Sequence, residues 1–93
     1  MSSNTKLEIA CFNLASVLIA QENGADRVEL CADMEVGGTT PDLKTVQQSR
    51  EKLTVDLYVM IRPRGGNFVY TDAEFQQMQA DITALKQFNV DGF

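Results

Sequence analysis

Short apolar runs alternate with amphipathic stretches along this chain, and that alternation limits its fold more than any other feature. The apolar runs cover residues 7–12, 27–31 and 56–61, and each has the length of a strand. Strands that alternate with amphipathic helices build βα units, whose strands lie parallel in one sheet. The sequence therefore predicts an α/β fold with a parallel sheet built from three βα units.

Helix signals occur in the segments between these runs. Asn13 can cap a first helix with its side-chain oxygen. Thr40 followed by Pro41 predicts the start of a second helix over residues 42–52, because a capping hydroxyl followed by proline is typical of a first helical turn.

A third helix is predicted after Thr71. Thr71 and Glu74 have the spacing of a capping box, in which each side chain bonds the backbone amide of the other residue. This helix carries an apolar stripe that is predicted to belong to the core: Phe75, Met78, Ile82 and Leu85.

The last residues of the chain are similar to the approach to the second strand. Asn-Gly-Ala-Asp at 23–26 leads into that strand, and Asn-Val-Asp-Gly at 89–92 leads into Phe93, so a fourth strand is predicted to begin there. A closed eight-stranded barrel needs roughly 200 residues or more. Residues 1–93 are therefore predicted to be the truncated N-terminal part of a single TIM (β/α)8 barrel domain. A complete, open three-stranded α/β domain is the alternative.

Charge and hydropathy exclude several kinds of partner. The chain has 8 Lys and Arg against 13 Asp and Glu, a net charge of -5, so it lacks the basic surface that nucleic acids require. No run reaches the roughly 18 apolar residues of a membrane helix. Residues 1–6 lack the apolar region of an export signal. A cytoplasmic protein with no nucleic-acid or membrane partner is predicted.

Charged side chains are predicted to gather on the inner face of the barrel. Because side chains alternate along a strand, Glu8, Glu29 and Arg62 point away from the apolar set that packs under the helices. Barrel enzymes place their active sites at the C-terminal ends of the strands. Since buried charges need partners, these three residues are predicted to form either a catalytic group or a structural ion-pair network.

The Arg-Pro-Arg-Gly-Gly segment at residues 62–66 is a second candidate site. Arg62 and Arg64 supply guanidinium groups, which bind carboxylate or phosphate through paired hydrogen bonds. Gly65 and Gly66 allow the backbone to approach a ligand closely. The segment is predicted to bind a small anion, and the alternative is a turn that only ends the third strand.

The two cysteines, Cys11 and Cys31, each end an apolar run, and neither belongs to a CxxC pair. Buried free thiols in a reducing compartment are the first interpretation, a soft-metal site is the second and a disulfide is the third. With no His in the chain, a zinc site with imidazole ligands is excluded.

Three blocks of sequence resemble one known family. ADRVELC at residues 25–31, GGTTP at 37–41 and MIRPRGGNF at 60–68 are similar, in order and spacing, to the CutC family. The resemblance spans nearly all of the chain. It implies a cytoplasmic TIM barrel that forms oligomers and takes part in copper homeostasis, with copper(I) bound by cysteines.

Under this resemblance, Cys31 matches the family's cysteine after Glu-Leu. The other cysteine of the pattern falls where this chain has Ala10, and Cys11 stands one position later. A shift of one residue turns a strand side chain to the opposite face, so Cys11 is expected under a helix instead of beside Cys31. Copper(I) is accordingly expected at Cys31, with Cys11 or Met60 as a second ligand.

Two functions of different classes follow from these features. The first is copper(I) binding or trafficking in copper homeostasis, with the copper ion as partner. The second is an enzyme that acts on a small anionic substrate, with Glu8 and Glu29 as acid and base and an anion held by Arg62 or Arg64. An inert fragment is a third interpretation. Because a partial barrel exposes its inner face and a strand edge, self-association into a homo-oligomer is also predicted.

Overall fold

The computed structural model describes residues 6–93, in which strands and helices alternate as the sequence predicts. The strands are β1 (Glu8–Cys11), β2 (Arg27–Leu30) and β3 (Asp56–Val59), and the helices are α1 (Leu14–Glu22), α2 (Leu43–Lys52) and α3 (Asp72–Leu85). Short 3-10 turns lie at Met34–Val36 and Lys86–Phe88. The predicted α/β fold of three βα units is confirmed.

The strands form one parallel sheet in the order β1-β2-β3. Two successive rows of side chains cross the same face of this sheet: Glu8, Arg27 and Asp56, then Ala10, Glu29 and Tyr58. These rows alternate with the rows that face the helices, as expected for the two faces of a pleated sheet.

A fourth strand begins after α3, in agreement with the prediction. Gly92 forms a parallel bridge with Tyr58 at the outer edge of β3. The Val59 amide donates to the Gly92 carbonyl over 3.0 Å, and the Asp91 amide donates to the Leu57 carbonyl over 2.8 Å. The backbone of Gly92 lies against the ring of Tyr58, and a Cβ at this glycine would be 2.5 Å from Tyr58 Cε2.

The helices cover one face of the sheet and form the core with it. The strand residues on this face are completely buried: Val28, Leu30, Leu57 and Val59. The helix residues that are buried in the same core include Val17, Val46 and Leu85. The apolar and polar faces of the strands are therefore those that the alternation in the sequence predicts.

The start of α2 differs from the prediction. Its N-cap is Asp42, which accepts from the Thr45 amide at 3.4 Å and from the Thr45 hydroxyl at 2.5 Å. Thr40 does not cap the helix, because it pairs with the chain beyond β3. The Thr40 amide donates to the Arg62 carbonyl over 3.0 Å, and the Thr40 hydroxyl accepts from the Arg62 amide over 2.9 Å.

The start of α3 agrees with the prediction, but its apolar stripe agrees only in part. The Glu74 amide donates to the Thr71 hydroxyl at 3.1 Å and the Thr71 amide donates to Glu74 Oε1 at 2.9 Å, which completes the capping box. Leu85 is buried, whereas Phe75, ten residues earlier in the helix, is 57% exposed. The prediction that Phe75 belongs to the core is wrong. Within residues 6–93, each helix falls short of the length and apolarity needed to cross a bilayer.

Candidate functional site

Cys31 directly follows β2 and is almost completely buried, with 2% of its surface exposed. Its amide donates to the Cys11 carbonyl over 2.9 Å, which extends the pairing of β2 with β1 by one residue. This pairing keeps the Cys31 side chain on the face that carries Glu29. The Cys31 Sγ donates to Glu29 Oε1 at a distance of 3.6 Å. A thiol and a carboxylate thus meet at the C-terminal end of the sheet.

A loop folds over this thiol. The 33–38 loop is closed at its base by an antiparallel bridge between Ala32 and Thr39, with amide-to-carbonyl distances of 2.9 and 2.8 Å. The Thr39 hydroxyl also donates to the carboxylate of Asp33, at 3.1 Å, within the same hairpin. The loop therefore returns over the end of β2, where Cys31 lies.

Gly38 is the part of this loop that lies on Cys31. A Cβ at Gly38 would be 3.3 Å from Cys31 Cβ, 3.6 Å from Cys31 Sγ and 3.6 Å from Met60 Cε. Gly38 also has a φ of +102°, a conformation that side chains disfavour. The Cys31 thiol and the terminal methyl of Met60 therefore both lie next to Gly38.

Burial, and after it the neighbouring Glu29 carboxylate, raise the pKa of Cys31 to about 12. The thiol is consequently protonated at neutral pH, and a soft metal ion must displace this proton before it can bind. Among residues 6–93, no group of three or more Cys, Asp and Glu side chains is placed as a metal site requires. The sulfur-containing side chains next to Gly38 are those of Cys31 and Met60.

Cys11 lies on the other face of the sheet. It is 1% exposed and belongs to the core that includes Val17 and Ala20 of α1. Its Sγ donates to the Ile9 carbonyl at 3.7 Å, and burial raises the pKa of this thiol too. The expected placement of Cys11 under a helix is confirmed, and both cysteines are free thiols.

Arg62 is a buried cation that contacts carbonyls. It is 8% exposed, and its guanidinium donates to the carbonyls of Val36, Gly38 and Gly66 at 2.6, 3.1 and 2.9 Å. The ring of Phe68 covers it, with 4.7 Å between the guanidinium carbon and the ring centroid. Its Nε has no hydrogen-bond partner, and no carboxylate pairs with it within the described range 6–93.

Arg64, the second arginine of the segment, is differently placed. It forms an ion pair with Glu74 in the first turn of α3, and this contact lowers the pKa of the Glu74 carboxyl. Its other donors bond the carbonyls of the turn itself, those of Gly65, Asn67 and Val69. Arg64 therefore shapes the turn after β3 and ties it to α3.

Glu8 and Glu29 share one face of the sheet and Arg62 follows the end of β3, but no hydrogen bond or ion pair joins the three in the part of the chain that the structure describes. Glu8 is aligned with Asp56 at the start of the sheet. Arg62 lies six residues beyond Asp56, or about 20 Å along an extended chain. Residues on the same face can thus lie at opposite ends of it.

The partner of Glu8 is Arg27, which the sequence prediction did not single out. Their side chains meet at 2.6 Å across β1 and β2, and the Arg27 guanidinium stacks on the ring of Tyr58, 4.4 Å from its centroid. The sequence does contain a signal for this pair. Glu8 and Arg27 are the first residues of two adjacent parallel strands, so they lie side by side, and they have opposite charges.

The chain is an α/β protein of parallel βα units, with its helices on one sheet face and polar side chains on the other, the arrangement from which α/β barrels are built. The chain belongs to the CutC family, whose family model matches residues 5–93. It is 46% identical over 88 residues to a family protein CutC of Photorhabdus laumondii subsp. laumondii, covering 95% of this chain and 36% of that protein. A family protein CutC of Salmonella paratyphi B is 46% identical over 86 residues, covering 92% of this chain and 35% of the relative.

A solved structure has the same fold. The crystal structure of the putative copper homeostasis protein CutC from Streptococcus agalactiae superposes with a TM-score of 0.86 at 36% sequence identity. The match covers 95% of this chain and 44% of that one. The chain therefore spans less than half the length of these relatives, and its fold is part of their barrel fold.

Proposed function

We propose that this chain binds copper(I) in copper homeostasis, through the thiolate of Cys31 with the thioether of Met60 as second donor. The supporting observation is that Cys31 Sγ and Met60 Cε each lie 3.6 Å from the position that a Cβ at Gly38 would take. Thiolate and thioether are soft ligands that select copper(I) over harder ions. The name of the Streptococcus agalactiae protein, a putative copper homeostasis protein, agrees with this function.

Competition with a coloured copper(I) chelator under anaerobic conditions tests the proposal. We expect one copper(I) per chain, a loss of affinity of at least about tenfold in Cys31→Ser, and a smaller loss in Met60→Leu. Cys11→Ser is the matched control, since Cys11 is an equally buried thiol on the opposite face. Unchanged affinity in Cys31→Ser, or a loss confined to Cys11→Ser, would contradict the proposed site.

A small anion is the second candidate ligand, and the lone charge of Arg62 favours it. A buried guanidinium without a carboxylate normally has some anion nearby. An enzyme of this kind would use Arg62, with Arg64, Gly65 and Gly66 of the same turn, to hold the anion, and Glu29 as acid or base. Glu8, which the sequence assigned to the same role, is paired with Arg27 at the start of the sheet and does not reach this anion. Titration with inorganic phosphate, followed by amide chemical shifts, should move Gly65 and Gly66 if this function is correct. Shifts spread over the whole surface would count against it.

The remaining predictions concern the whole protein. We propose that residues 1–93 are the N-terminal part of one barrel domain and that the protein acts in the cytoplasm, where buried free thiols stay reduced. We also propose a homo-oligomer, because β1 is paired on one side only in the described sheet and Leu7 and Ile19 near it are 49% and 59% exposed. Sedimentation of the chain tests this assembly, and a monomer at all concentrations would disprove it.

A further inference from the structure

One side chain joins the two loops at the C-terminal end of the sheet. Arg62 Nη1 donates to the carbonyls of Val36 and Gly38, both in the 33–38 loop. Its Nη2 donates to the carbonyl of Gly66 in the turn after β3. Because Gly38 lies on the Cys31 thiol, the same guanidinium that crosslinks the loops also holds the cover of the thiol in place.

The 33–38 loop has the properties of a segment that opens readily. Its residues 33–37 are exposed, so they bury little surface that would hold the loop down. Asp33, Gly37 and Gly38 all have positive φ, at 50°, 86° and 102°. Local opening is easiest in segments with few buried contacts. The bonds from Arg62 are therefore a main attachment of this loop, together with the bridge at its base and the packing of Val36 on Gly65.

We propose that Arg62 is a positioning residue that keeps the 33–38 loop closed over Cys31. When Nη1 releases the carbonyls of Val36 and Gly38, the loop moves off the thiol, and a metal ion or another thiol-reactive molecule reaches Cys31. The inference goes beyond copper binding, since it concerns access to the thiol whatever reaches it. A chain that binds no copper can still show this control of access.

The rate at which iodoacetamide alkylates Cys31 measures how well the 33–38 loop protects this thiol. The wild-type chain, Arg62→Gln and Arg62→Lys are labelled over time, and the label on Cys31 and Cys11 is quantified by mass spectrometry. Loss of the three hydrogen bonds in Arg62→Gln is expected to speed labelling of Cys31 by about tenfold or more relative to Cys11. Arg62→Lys keeps the charge but loses the planar fork, so an intermediate rate is expected.

Arg50→Gln is the matched control. Arg50 also makes three hydrogen bonds, to the Asp91 carboxylate and to the carbonyls of Leu53 and Val55. The carbonyls of Leu53 and Val55 precede β3, and Asp91 pairs with Leu57 near the start of β3, so these contacts lie at the opposite end of the sheet from Cys31. The variant should lose stability without freeing the loop, so the ratio of Cys31 to Cys11 labelling is expected to stay at the wild-type value.

Equal labelling rates of the two thiols in folded Arg62→Gln, or no acceleration at all, would overturn the inference. If the Arg62 variants do not fold, the wild-type chain decides the question in rising urea. The inference then requires that Cys31 be labelled at lower urea than Cys11, in step with hydrogen exchange of the Thr39 amide. The same urea dependence for both thiols would overturn it.

Discussion

The proton on Cys31 lowers the apparent affinity of this site for copper(I), and the effect can be measured. With a pKa raised to about 12, only about one Cys31 thiol in 100,000 is ionised at about pH 7. Copper(I) binds the thiolate, so each binding event must release this proton. The apparent dissociation constant is therefore expected to fall about tenfold for each unit by which the pH rises, as long as the pH stays below about 12.

Glu29→Gln separates burial from the Glu29 carboxylate, the two largest causes of the raised pKa of Cys31. Burial, the larger cause, stays, while the carboxylate 3.6 Å from the thiol is removed. The pKa of Cys31 is expected to fall, and copper(I) affinity at about pH 7 is expected to rise, by up to about tenfold for one pKa unit. Glu22→Gln, on the exposed end of α1, is the control in which neither quantity should change.

Anaerobic chelator competition between about pH 6 and about pH 9 measures both effects. Proton release can be followed independently in a weakly buffered solution as copper(I) is added. A dissociation constant that does not vary with pH would refute the reasoning, because binding would then not require the Cys31 thiolate. An affinity that falls in Glu29→Gln would show that the carboxylate contributes to the metal site itself.

Three other outcomes are expected from chemical denaturation. Gly38→Ala should lower the free energy of unfolding by about 1–3 kcal/mol more than Gly24→Ala, because both glycines have positive φ but only Gly38 has Cys31 within reach of the added methyl; equal losses would remove the steric argument. Asp91→Asn should cost about 1 kcal/mol more than Asp81→Asn, because the Asp81 carboxylate accepts only from the Gln77 side chain on the helix surface. Because hydrogen bonds lower the pKa of Asp91, its contribution is present above the ordinary value of 3.8 and is lost as pH falls below it, a dependence that Asp91→Asn should lack. The raised pKa of Cys31 means that the folded state keeps a proton that the unfolded chain releases above 9.0, so stability should fall as pH rises from 9.0 towards 12, less steeply in Cys31→Ser.

The strands and helices could be predicted because their signals are local. Asn13 accepts from the Ser16 amide at 2.7 Å, and Thr71 and Glu74 bond each other, in each case across three residues. The alternation of apolar side chains along the strands depends only on neighbouring positions, and it correctly separates the faces of the sheet. Local chemistry is thus sufficient for the elements and for their buried faces.

The contacts of the candidate site could not be predicted in this way. Arg62 bonds carbonyls that lie 26 and 24 residues earlier, and backbone carbonyls carry no sequence signal. Thr40 looks like a helix cap locally, yet its hydroxyl pairs with the backbone 22 residues later. Alternation indicates which face Glu8 occupies but not its level along the sheet, so its pairing with Arg27 follows only from the register.

The close contact between Tyr58 and Gly92 limits how the sheet can continue. If the fourth strand slipped by one residue in either direction, Asp91 or Phe93 would replace glycine at a point where even a methyl would lie 2.5 Å from the aromatic ring. A slip would also turn the strand's side chains to the wrong faces. The bulk of Tyr58 therefore excludes both neighbouring alignments. The placement of the next strand, and of any strand that pairs with it in turn, is decided by steric exclusion at one residue.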